Sequence, residues 1–184
     1  DMFRKSLSIR ENLSLELGTP QSQSDLSVSY NLMGDILQRQ GNPIGALKMY
    51  RKSLVINENL SLEFGTLQSR TNLSLNYSQV GSILLEQGEF IGALKMYKKC
   101  LAICEKLSLE LGTPSAYRNV MIACANNAFI LSEQEKYEEA LLFAKRALAI
   151  GETLAAQLDT NDARREAEAM RNNLKIVEAY CKKS

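Results

Sequence analysis

Cys100 and Cys104 lie one helical turn apart, so as thiolates they would share a helix face and could ligate a soft metal. A zinc site needs two more ligands, and the sequence contains no histidine. The other two cysteines, Cys124 and Cys181, form no Cys-x-x-Cys pair, so neither a zinc knuckle nor a thioredoxin-type motif is present. Cys100, Cys104 and Cys124 are therefore expected as small core residues, and a reducing compartment, the cytoplasm, is the expected setting. Without histidine the commonest general base and the usual pH switch are also missing. Serines and carboxylates are plentiful, yet there is no glycine-rich phosphate loop, nucleophile elbow or distinctive acidic pair. Tyr50, Tyr97 and Tyr137 are expected as packing aromatics. The sequence predicts no catalytic, metal or cofactor site, and hence not an enzyme.

Binding chemistry is narrowed by charge. Lys and Arg number 22 against 21 Asp and Glu, so no bulk charge exists to hold nucleic acid or an anionic membrane. Basic pairs recur at Arg4-Lys5, Arg51-Lys52, Lys98-Lys99 and Lys145-Arg146, with Lys48 and Lys95 nearby. Aligned, they would form a ridge able to hold phosphates; the competing account is a solvated outer face balanced by Glu58, Glu63, Glu105 and Glu110. No run approaches a membrane span, and the first residues carry no apolar signal core. The expected partners are proteins, with no nucleic acid and no membrane.

The elements that would position such a surface come from a duplication. Residues 3–49 and 50–96 share 29 of 47 identities, with weaker echoes beginning at Lys98 and Lys145. A period of this length marks a solenoid, in which each unit buries its apolar face by stacking on its neighbours. Leu54, Ile56, Leu60 and Phe64, like Leu32, Ile36 and Leu37, recur at helical spacing. Gly18, Gly65 and Gly112 suit the left-handed position after a helix, and Thr19, Thr66 and Thr113 suit the cap of the next. The other turn is Gly41-Asn42-Pro43, with Asn42 as cap, matched by Gly88-Glu89-Phe90. Eight helices follow, near residues 2–17, 21–40, 43–64, 68–87, 90–111, 115–134, 137–158 and 162–181, with no strand.

One aromatic-to-small pattern recurs inside the units: Tyr30, Met33-Gly34, Gly41, Ala46, Tyr50, Ser53, and again Tyr77, Val80-Gly81, Gly88, Ala93, Tyr97, Cys100. It resembles the tetratricopeptide repeat, and the resemblance covers essentially the whole chain. It is weaker in the third unit, where Cys124, Ala128, Glu135 and Ala144 replace the two aromatics and two glycines. Glu58 and Glu105 stand where the family places a helix-ending proline, so the second helix runs on and the unit lengthens from the family's usual size to 47 residues. Long-hairpin relatives, such as those of kinesin light chain and bacterial signalling proteins, look closer than the short chaperone-binding type. The resemblance implies an all-α fold, a right-handed superhelical solenoid of antiparallel helix hairpins. Residues 1–20 would be the second helix of a truncated unit, 21–67, 68–114 and 115–160 three units, and 161–184 a capping helix, all in one domain.

The two similar units differ mainly at 28/75, 31/78, 32/79, 35/82, 38/85, 39/86 and 42/89, which fall within about 120° of the first helix at about 100° per residue. In the family this face lines the concave groove. The candidate partner-binding residues are Asn31, Asp35, Gln38, Arg39, Ser78, Gln79, Ser82, Leu85, Glu86, Asn126, Phe129 and Ser132, flanked by the apolar Val28, Leu32, Leu75 and Ile122. Such amides suit the backbone of an extended peptide or one face of a helix. The family's two-carboxylate clamp is not present, because its turns hold Asn31, Asp35, Ser78, Ser82, Ala125 and Phe129. Asp35, Glu86, Glu89 and Glu133 against Arg39 favour a neutral or basic segment. The alternative is a solvated face drifting after duplication.

The chain starts in mid-unit, with Phe3 in the place of Tyr50, so a stacking face is expected to be open at the first helix of what is read as a piece of a longer protein. The leading expectation is a protein-protein interaction scaffold. The alternatives are a self-associating segment stacking through that N-terminal helix face, and the sensing arm of a larger signalling protein.

Overall fold

Thr19, Thr66, Thr113 and Thr160 each accept a backbone N–H from three residues on, at 3.1–3.3 Å. This satisfies one of the donors a helix start leaves open. The computed structural model describes residues 2–182, and the side chains of residues 5–182. Among these lie eight α-helices and no strand: α1 Met2–Leu17, α2 Pro20–Arg39, α3 Pro43–Phe64, α4 Leu67–Glu86, α5 Phe90–Leu111, α6 Pro114–Glu133, α7 Tyr137–Leu158 and α8 Asn161–Cys181. The threonine caps set α2, α4, α6 and α8 one residue earlier than the apolar periodicity places them. The expected equivalence of Phe3 with Tyr50, and the Arg4 member of the basic ridge, lie outside the described side chains.

Both turns need left-handed backbone. After the B helices (α1, α3, α5, α7) it is taken by Gly18, Gly65, Gly112 and Asp159, and after α2, α4 and α6 by Gly41, Gly88 and Glu135. The third unit therefore keeps the turn without the glycine, at a cost of about 1 kcal/mol for each residue with a Cβ. Asn42 Oδ1 caps α3 by accepting from Gly45 N at 2.9 Å. Its counterpart Glu89 makes no side-chain cap.

By packing, the chain divides into two compact units, residues 1–87 and 88–184. In the first, α1, α2, α3 and α4 pack in chain order; in the second, α5, α6, α7 and α8 do so, with α6 also touching α8. Short turns make each pair of consecutive helices antiparallel. Tyr50 and Ile83 are sealed in the first unit, and Met121, Ile130, Leu131 and Leu154 in the second. Ala128, Leu131, Ala140, Ala144 and Val177 form one cluster there, with Leu94, Phe143 and Leu174 packed against it. Helix α1 is covered on fewer sides: its Leu13 is 43% exposed, against 4% for the equivalent Leu60.

A candidate partner-binding face on the A helices

In the first unit three candidate residues of α2 are joined to α4, one of them through Asn76, which is not among the candidates. Asn76 Nδ2 donates to Asn31 Oδ1 at 2.5 Å, Gln79 Nε2 to Asp35 Oδ1 at 3.3 Å and Gln38 Nε2 to Glu86 Oε1 at 2.8 Å. From α3, the Tyr50 hydroxyl bonds Asp35 Oδ1 at 2.6 Å and lies 3.2 Å from Gln38 Oε1. Burial, then the bond to Asp35, pushes the Tyr50 hydroxyl above its ordinary range, so it remains a donor at neutral pH. Asn31 is buried, while Asp35, Gln38, Ser78, Gln79, Ser82 and Leu85 are half-buried and Arg39 and Glu86 exposed. In the second unit Asn126 and Ser132 are half-buried and Phe129 exposed on α6. The Ser132 hydroxyl donates to its own helix at Ala128 O, 3.0 Å away.

Beneath this face runs a buried polar layer that sequence reasoning missed. Asn57 Nδ2 donates to Asn76 Oδ1, and the Ser53 hydroxyl lies 2.9 Å from Ser27 O and 3.0 Å from Asn76 Oδ1. Asn57 Oδ1 has no protein partner. Ser27, Ser53, Asn57 and Asn76 are all fully buried, so α2, α3 and α4 are tied by amide and hydroxyl groups. Two repeats later the equivalent positions hold Met121, Ala147, Gly151 and Met170, an apolar layer in which a Cβ on Gly151 would sit 3.2 Å from both Ala167 Cα and Met121 Sδ.

A carboxylate ladder is the other missed feature. Glu11 accepts from Tyr30 OH at 2.6 Å and pairs with Lys52 at 3.4 Å, and Glu58 accepts from Tyr77 OH at 2.6 Å. Glu105 pairs with Arg146, and Glu152 with Arg171 at 2.8 Å. The glutamate that stands where a proline was expected thus anchors a later helix, and Lys52 and Arg146 of the basic pairs are engaged in structure. The signal was visible as glutamate at 11, 58, 105 and 152, evenly spaced.

Among the described residues no three of Cys, Asp and Glu stand where they could hold an ion. Cys100 and Cys104 Sγ atoms are 3.9 Å apart, and Cys104 and burial together push the Cys100 thiol up. Burial pushes the Cys124 thiol up to about 11. Protonated, buried thiols are poor nucleophiles. A native titration with a disulfide reagent at neutral pH is expected to modify Cys181, which is half-buried, and to reach Cys100, Cys104 and Cys124 only after denaturation. Rapid modification of more than one thiol would contradict this packing.

One repeat position stays aliphatic and open on each of α2, α4 and α6. Val28, Leu75 and Ile122 occupy one repeat position on α2, α4 and α6 and are 44%, 52% and 46% exposed. Aliphatic character is thus kept on an open helix face through three repeats. The tetratricopeptide repeat model matches residues 26–61, 66–108 and 120–155, well over half of the chain. The chain belongs to the tetratricopeptide repeat family. The crystal structure of BtubC (BKLC) from P. vanneervenii matches 96% of this chain with a TM-score of 0.66 at 20% identity, a likeness of fold. The chain spans 63% of the length of that BtubC chain. A de novo designed helical repeat protein matches 99% of this chain and 94% of its own length, with a TM-score of 0.43 and 14% identity. No curated protein matches the chain. Among the described residues no helix of this tetratricopeptide repeat protein is long and apolar enough to cross a membrane.

Proposed function

We propose that this protein is an interaction scaffold that grips a peptide or a helical segment of a partner on the exposed face of its A helices (α2, α4 and α6). The observation carrying this reading is the retained aliphatic character of one exposed repeat position, Val28, Leu75 and Ile122, since apolar side chains kept open beside hydrogen-bonding groups mark interaction sites. The rungs joining α2 to α4 hold Asp35 and Gln79 in fixed places, which lowers the ordering cost of binding. Asp35, Glu86 and Glu133 against Arg39 favour a neutral or basic segment. The free, buried thiols of Cys100, Cys104 and Cys124 fit a cytoplasmic setting.

Capture from a lysate by wild type and by Leu75→Glu/Ile122→Glu/Phe129→Glu, with Leu62→Glu on α3 as a control and circular dichroism on each, tests the proposal. Specific partners should vanish with the triple variant and persist with the control. Equal capture by all three would overturn it, and tight binding of a tail ending in several acids would overturn the charge preference. The open face of α1, seen in the exposure of Leu13, favours a second reading, self-association through that face. Loss of concentration-dependent mass in Leu13→Glu would support it.

A further inference from the structure

The outer faces of the B helices carry aliphatic side chains that nothing in the protein covers. On α5, Ile91, Lys95, Lys98 and Ala102 follow one another at helical spacing and, with Leu94, line a shallow groove of about 550 Å³. Ile91 is 84% exposed, and neither Lys95 nor Lys98 meets a carboxylate among the described residues. On α7 the equivalent positions reverse the pattern. Glu138 stands in the place of Ile91 and Leu142 in the place of Lys95. Glu138 and Glu139 are exposed and unpaired in the first turn, and Leu142 is 70% exposed one turn on. Two acids at a helix start are explained by the helix dipole alone. A leucine held in water beside them is not.

We infer that the protein associates with a second copy of itself, the first turn of α7 in one copy docking into the α5 groove of the other. Laid antiparallel, Leu142 covers Ile91 and Leu94, while Glu138 and Glu139 face Lys95 and Lys98. The two surfaces are different patches of one chain, so the contact either closes reciprocally, α5 on α7 and α7 on α5, as a symmetric dimer or grows by addition. Opposite charges flanking an aliphatic centre make the contact weaken with salt. This contact uses B helices and leaves the A-helix face open, so its test and that of partner binding fail independently.

The experiment uses the full chain. Equal amounts of unlabelled and ¹⁵N-labelled wild type are coupled with a zero-length carbodiimide, and linked peptides of mixed isotope are mapped by mass spectrometry alongside sedimentation velocity at low and high salt. The expected result is a mass that rises with concentration at low salt, and mixed-isotope links joining Glu138 or Glu139 to Lys95 or Lys98. Lys95→Glu/Lys98→Glu and Glu138→Lys/Glu139→Lys are each expected to weaken association at least about tenfold, and an equimolar mixture of the two to restore it. A wild type that stays monomeric at every concentration overturns the inference. So do intermolecular links confined to α1, or association that ignores both reversals.

Discussion

Asn76→Ala is expected to destabilise the first unit by about 2–4 kcal/mol, because it removes one side chain that serves α2 and α3 at once. Asn76 donates to Asn31 and accepts from Asn57, and Ser53 lies within hydrogen-bond reach of the same oxygen. All three partners are buried, and Asn57 already carries one oxygen with no partner. An alanine takes the nearer acceptor from the Asn57 amide, leaving only the 3.3 Å bond to Ser53 Oγ, and leaves Asn31 Oδ1 without its donor; a buried polar group that loses its partner costs more than a made bond contributes. The loss should be read by chemical denaturation, with hydrogen exchange showing it in the amides of α2, α3 and α4. A cost below about 0.5 kcal/mol, the range of ordinary surface changes, would show that the layer is not holding the helices together.

Gly34→Ala should cost about 2 kcal/mol, even though alanine is the better helix former by about 1 kcal/mol. A Cβ at Gly34 would stand 2.5 Å from Tyr50 Cε1. The ring has nowhere to go, being almost completely buried and tethered through its hydroxyl to Asp35. In a Tyr50→Ala background the same substitution should be neutral or stabilising, because the obstructing ring is gone. A double-mutant cycle by denaturant unfolding measures this, and an equal cost in both backgrounds would contradict the close approach. The effect reaches the candidate face, since a displaced Tyr50 releases Asp35.

Turn chemistry is what made the fold legible. Threonine caps and the glycines before them recur with the repeat, so most helix ends could be placed within a residue from local rules. Glu135 and Asp159 kept the left-handed turn where glycine was absent, and there the spacing of the units carried the expectation. The buried layer was not legible, because Asn57 and Asn76 look like any polar residue on a long helix. Only packing three helices together shows that their amides point at one another. The same limit applied to Asn31 and Gln38, which stood out by their divergence between units. Divergence marks a position as variable without showing whether the side chain meets solvent or another side chain. The structure has both amides already bonded, leaving Val28, Leu75 and Ile122 as the more open part of that face.

Engagement of a partner by the A helices can be read by placing a photo-reactive side chain at Leu75, at Ile122 and, on the B-helix side, at Leu62, then irradiating each protein in its own cell extract. One and the same partner is expected to be trapped from Leu75 and Ile122 but not from Leu62. Trapping from Leu62 alone, or from none of the three, would contradict that engagement.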